Sequence, residues 1–370
     1  MAIHDWLSVL RSEYLQNFIK NGGGAVKFVV PGDSVEHQEL WDELKSMSQE
    51  EGYAFAQVDA ATTKVHMVDK LFSAVARQVD WDQLAHSFLC CTLLESSYLV
   101  PASREEFSLS QIAYLNGLDL GEMRAVINTR LRERLSHDYA MNQEFRQAML
   151  KLCQAQLDPQ DLGVGIVEAV REWLRGELQL ISALKSAAIF QKIGRHNARH
   201  MLAYLSHWLN VSGQSGLVLA IDISSFLRDK RPPEGDSSLF YSTSAVVDGY
   251  EVLRQFIDST DELQNCLVVV FAPPEFLSNE QRGVRKYDAL YLRIWDEVRD
   301  QRKMNPLSSL IRFSGTGSSD EGTCDEGTCD EGTSGAQSSG PEQPAVSLST
   351  ITAVSPAVSP AISQGFRSYS

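Results

Sequence analysis

The chain has 370 residues, 43% of them hydrophobic and 22% charged, which is the make-up of a globular protein with a large core rather than a disordered or fibrous one. Its formal net charge is −15, and seven acidic residues against the single Arg367 from Ser314 onward place about −6 of this in the tail and about −9 in the body. An acidic body argues against broad DNA coating, which needs clustered Lys and Arg, but leaves room for a local basic site.

In chain order, Leu7, Leu10, Tyr14, Leu15 and Phe18 fall at helical spacing and predict an opening amphipathic helix, ended by Asn21-Gly22-Gly23-Gly24. Asp5 and Glu13 within it argue against a signal peptide. Val26 to Val30 reads as a buried strand, followed by a turn and a helix over Glu39 to Glu51. Tyr53 to Val58 alternates as a second strand. From Lys64 to about Leu209 the pattern is helical. Leu217 to Ile221 and Cys266 to Phe271 are fully apolar strands, with a helix around Ala245 to Ile257 between them. Apolar strands alternating with helices predict a parallel sheet covered on both faces. The repeats Asp-Glu-Gly-Thr-Cys/Ser from Asp320 to Ser334, then Ala-Val-Ser-Pro twice, predict a disordered tail over 314–370. The six cysteines form no CxxC pair or zinc spacing, which predicts free thiols in a reducing cytosol. No apolar run reaches membrane-spanning length, so a cytoplasmic protein is expected.

Three strand ends carry the functional reading. A phosphate-binding loop, GxxxxGK[ST], uses glycines to aim backbone N–H groups at phosphates, Lys for the β/γ-phosphates and Ser/Thr for Mg²⁺. After the first strand the spacing from Gly32 fits, but His37, Gln38 and Glu39 stand at the Gly, Lys and Ser/Thr positions. An ATPase strand should also end in Asp-Glu, and here Asp222 is followed by Ile223, which cannot activate water. The next strand should present a polar residue and presents Ala272, Pro273 and Pro274.

With these elements the chain resembles the BREX-system ATP-binding proteins, bacterial phage-resistance P-loop ATPases of AAA+-like type. The likeness runs through GGGAVKFVVPG, YAFAQVDA, REWLRGE, NARHMLAYLSHWLNVSGQSGLVLAID, YEVLRQFIDST, LVVVFAPPEFL and RGVRKYDALYLRI, over most of residues 20 to 313. It implies an α/β P-loop NTPase-like (AAA+-like) domain over 1–313 with a large helical insertion at about 64–209. Relatives carry intact phosphate and Asp-Glu motifs and a C-terminal helical lid, and this chain departs from them in all three. No catalytic residue, cofactor or metal is therefore expected, ATP and Mg²⁺ being the alternative.

Other clusters are weighed beside this. Arg282, Arg285 and Arg293 are candidates for an arginine that reaches a neighbouring subunit's nucleotide; the plain alternative is a solvated helix face. Lys192, Arg195, His196, Arg199 and His200 form a basic stripe, read as facing a phosphate or a partner rather than zinc. Leu109 to Arg134 has helix-turn-helix character and four arginines, interrupted by Glu122 and Glu133. The expected function is a non-catalytic accessory subunit of a BREX-like anti-phage or DNA-transaction complex, beside an intact ATPase or helicase. A working ATPase with an unusual phosphate site and a DNA-binding accessory using 109–134 are the alternatives.

Overall fold

Five parallel strands form one sheet: β1 (Gly24–Val30), β2 (Tyr53–Asp59), β3 (Gly216–Asp222), β4 (Cys266–Phe271) and β5 (Leu310–Arg312), in the order β2-β3-β4-β1-β5. The structure is a computed structural model that describes residues 2–158, 164–294 and 305–313. The chain divides into Met1–Ser318 and Ser319–Ser370. The second unit, on which the expected tail falls, lies outside the described residues.

Side chains alternate across the strands, so each apolar run feeds two cores. Phe28, Leu219, Ile221, Val268 and Val270 face the larger core. Val29, Val218, Ala220, Val269 and Phe271 face a smaller one closed by Trp6, Leu10, Leu40 and Leu44. The covering residues of the smaller core come from α1 (Ile3–Val9), its π-helical continuation Leu10–Ile19, and α2 (Ser34–Glu50). Between β2 and β3 lie α3 (Val68–Ala76), α4 (Trp81–Glu95), α5 (Leu109–Leu115), α6 (Leu120–Leu131), α7 (Gln143–Leu157), α8 (Val164–Arg175) and α9 (Ala198–Val211). They pack around Trp81, Phe88, Phe145, Trp173 and Trp208, all buried. After β3 come α10 (Thr243–Asp258), α11 (Glu275–Ser278) and α12 (Asp288–Tyr291). This is the α/β, P-loop-like sheet with a helical insertion that the sequence predicts.

Two elements differ from expectation. The helix expected from Glu39 begins at Ser34, because Asp33 caps it, its carboxylate accepting from Val35 N and Glu36 N. The edge strand β5 is not predicted from the sequence, since three residues carry no period. Buried Lys27 fixes the approach to β5, its Nζ donating to the Leu307 and Ser308 carbonyls at 2.5 and 2.8 Å.

A polar clamp joins α10 to the segment around α12. Arg254 grips Glu251 at 2.6 Å and also pairs with Asp258, which Arg293 holds at 2.5 Å, while the Tyr287 hydroxyl donates to Glu251. Arg254, and then Tyr287, pull the Glu251 carboxyl down to about 2 against the opposing effect of burial. A carboxyl depressed in the folded state adds stability above its unfolded value, which is lost as pH falls through the folded one. Glu251→Gln should therefore flatten the acid limb of stability from about pH 4.5 down to about 2. At this exposed site the gain at neutral pH is on the order of 1 kcal/mol or less, and chemical unfolding at a series of pH values measures it.

Candidate functional site

In open parallel sheets, ligands sit at the carboxyl ends of the strands. Here the ends of β1, β3 and β4 enclose a cleft of about 350 Å³ lined by Pro31, Asp33, His37, Asp222, Pro273 and Pro274, among others. Among the described residues no Lys or Arg lines it. A neighbouring polar cleft of about 660 Å³ shares His37 and Asp222 and adds Gln38, Trp41 and Asp59.

The start of α2 decides what this cleft can hold. A helix N-terminus binds an anion through free N–H groups. In this turn Gly32 N donates to Glu36 Oε2 at 2.7 Å. Val35 N and Glu36 N both donate to Asp33 Oδ1 at 2.9 Å. His37 N donates to the Asp33 carbonyl at 3.1 Å. Four N–H groups of this turn, those of Gly32, Val35, Glu36 and His37, are thus engaged by the chain's own oxygens, and two carboxylates stand beside them.

His37 closes the site from the other side. Its Nε2 lies 3.1 Å from Asp222 Oδ2. Burial would raise the Asp222 carboxyl, but His37 and Ser224 outweigh it and hold it below the usual carboxylate range. Ser224 N donates to Asp222 Oδ1 at 2.7 Å. The His37 ring stacks on Trp41 with centroids 5.9 Å apart and meets the edge of Phe271 at 5.2 Å. Gln38 donates along its own helix to Asp42 at 2.9 Å, and Glu39 is exposed. Ile223 is fully buried in the larger core. The start of α2 does not fit a magnesium–phosphate group: Asp33 and Glu36 engage its N–H groups and put negative charge at the helix N-terminus, although Asp222 keeps the place of a magnesium-shell carboxylate.

The family model for the BREX system ATP-binding protein BrxC/D matches residues 17–318. The chain belongs to that family. It is thereby a component of a BREX defence system, with partners within that complex. No curated protein and no solved structure matches the chain. Among the described residues no helix is long and apolar enough to cross a membrane, and no three or more His, Cys, Asp or Glu residues group to hold a metal ion.

The remaining candidates are scattered around this site. Arg282 is buried; its Nη1 donates to the Phe226 and Tyr241 carbonyls at 3.1 and 3.0 Å, and its Nε lies 3.2 Å from Asp229. Arg293 is held in the α10 clamp. Arg285 is exposed and has no ion pair or hydrogen bond from its side chain among the described residues. In the 109–134 segment, Arg124 pairs with Asp158, Arg130 with Glu133 and Arg134 with Glu95. Only Arg132 there projects unpaired. The sequence reading missed Asp33 and Glu36, although their D-x-x-E spacing is itself a helix-start signal. It also missed the contact between His37 and Asp222, which no local pattern announces.

Proposed function

We propose that this chain is a non-catalytic subunit of its BREX complex, a P-loop scaffold that binds no nucleotide and acts by contact with an active ATPase. The observation that carries this reading is the self-filled turn, in which Asp33 and Glu36 occupy the N–H groups at the start of α2. Ile223 in place of a water-activating carboxylate removes hydrolysis independently. The contact with the neighbour uses Arg285, whose free guanidinium can supply charge to another subunit's nucleotide without binding one itself.

Calorimetry should give an ATP–Mg²⁺ dissociation constant no tighter than about 1 mM; micromolar binding would restore the active-ATPase reading. His37→Gly, Gln38→Lys and Glu39→Ser together should not restore tight binding, because α2 still starts at Ser34 and keeps its carboxylate caps. Reconstitution with the neighbouring ATPase tests the contact. Arg285→Ala should bind the partner yet stimulate its turnover less, and unchanged stimulation rules the arginine out.

A further inference from the structure

Between Glu177 and Asp222 the chain has no Asp or Glu, and its charged side chains there are Lys185, Lys192, Arg195 and Arg199. In a body as acidic as this one, that stretch is a local inversion of charge. Its first part, from Gly176 to Asn197, forms a ledge connecting α8 to α9, built on a short 3-10 turn at Ile181–Ala187.

The ledge is anchored from below and open above. Leu184, Ala187 and Ile189 are buried beneath it. Trp173 Nε1 donates to the Gln191 carbonyl at 2.8 Å. Glu144 Oε1 accepts from Phe190 N and Gln191 N, both at 2.9 Å, so this nearby carboxylate faces the ledge's own backbone. Lys192 Nζ closes the loop onto the Gln179 carbonyl at 2.5 Å. Outward stand Phe190, 61% exposed, and Arg195, whose side chain is 68% exposed. Lys185 is exposed and makes no ion pair or side-chain hydrogen bond. Lys64 is also exposed. Two acids border these cations: Asp69, mostly covered, 3.9 Å from Arg195, and Glu177 at the start of the ledge, paired with Arg77 at 2.9 Å.

An exposed aromatic ring in a stretch that carries exposed cations is what a flexible polyanion with stackable faces requires. Phosphates meet the ammonium and guanidinium groups, and an unpaired base lies on the ring. A duplex offers the phosphates but keeps its bases stacked away from Phe190. An acidic protein face offers charge without a planar partner. We infer that the ledge over Gly176–Asn197 binds single-stranded nucleic acid, with Lys185, Arg195 and Lys64 on the backbone and Phe190 under a base. The inference does not depend on the state of the nucleotide cleft.

The test is fluorescence anisotropy of the full-length chain with a labelled oligothymidylate of about 20 nucleotides, a duplex of the same length, and polyglutamate as competitor. The single strand should bind most tightly at low salt. Phe190→Ala should weaken it by about 5- to 150-fold, the range for one lost stacking contact, and change duplex binding far less. Lys185→Gln with Arg195→Gln should make the slope of log K against log salt shallower by about 1.4, two single-strand phosphate contacts. All of these side chains are exposed, and matching melting temperatures will confirm intact folds. Arg132→Gln, on the helix-turn-helix-like segment, should change nothing. The inference is overturned if no strand binds at low salt, if polyglutamate competes equally, if duplex is preferred, or if Arg132→Gln abolishes binding while the ledge variants do not.

Discussion

Arg282→Ala is expected to lower the melting temperature of the folded body by several degrees, while Arg285→Ala leaves it unchanged. The two residues are three apart, and composition alone does not separate them. Arg282 is 7% exposed and donates to two backbone carbonyls, those of Phe226 and Tyr241. It also lies over the Phe240 ring at 5.2 Å. Truncation leaves those carbonyls unpaired in a site too covered for full hydration, a cost of about 2–4 kcal/mol. Asp229 is well exposed and adds little, because water replaces its partner. Thermal unfolding of the two variants side by side is the measurement. Equal midpoints would show that the Arg282 contacts carry no net stability. The comparison also protects the partner assay, because loss of stimulation in Arg282→Ala would report a damaged fold rather than a missing finger.

Gly216→Ala should be more damaging still, by about 3 kcal/mol or more. Gly216 opens β3 at φ +135°, and a Cβ there would lie 2.0 Å from the Asn265 carbonyl oxygen. That oxygen cannot move away, because it accepts from Leu217 N at 2.9 Å and from the Ser206 hydroxyl at 3.0 Å. Asn265 is itself held at φ 54°, and its side-chain amide is fastened to the Ile19 carbonyl. Gly235 is the control, with φ +98° and open space around it. Gly235→Ala meets only the left-handed backbone penalty of about 1–2 kcal/mol. Denaturant midpoints of the two variants separate close approach from backbone preference. If the two fall equally, steric crowding at the β3–β4 junction is not the cause.

The sheet was legible because burial on both faces leaves a mark that needs no partner information. LVLAI and CLVVVF are continuous apolar runs and VKFVV is broken only by Lys27, the pattern of strands covered on both faces. The helical insertion was legible from its long 3.6-residue period. The start of α2 was not, because fitting the turn to a phosphate-loop spacing drew the eye from Gly32 to Glu39 and past the cap at Asp33. The sequence singles out Gly32, His37, Gln38, Glu39, Asp222 and Ile223 by residue type, but which of them touch is not legible in it. His37 reaches Asp222 only because β1 and β3 lie on either side of β4, a relation set by strand order. The fates of Arg282, Arg285 and Arg293 were likewise invisible, since burial of a cation depends on carbonyls and carboxylates supplied from distant loops.

The bridge between His37 and Asp222 has a mechanical consequence. A ligand shifts a protein between two states only through contacts that differ between them. Here a histidine after β1 faces a carboxylate at the tip of β3, wedged by Trp41 and Phe271. On the proposed reading, in which no nucleotide binds, this contact favours one arrangement of the two strand ends, with no ligand to select another. Within an assembly of cycling partners the subunit would behave as a stator: a fixed bearing against which the others turn over, setting their phase without keeping time itself.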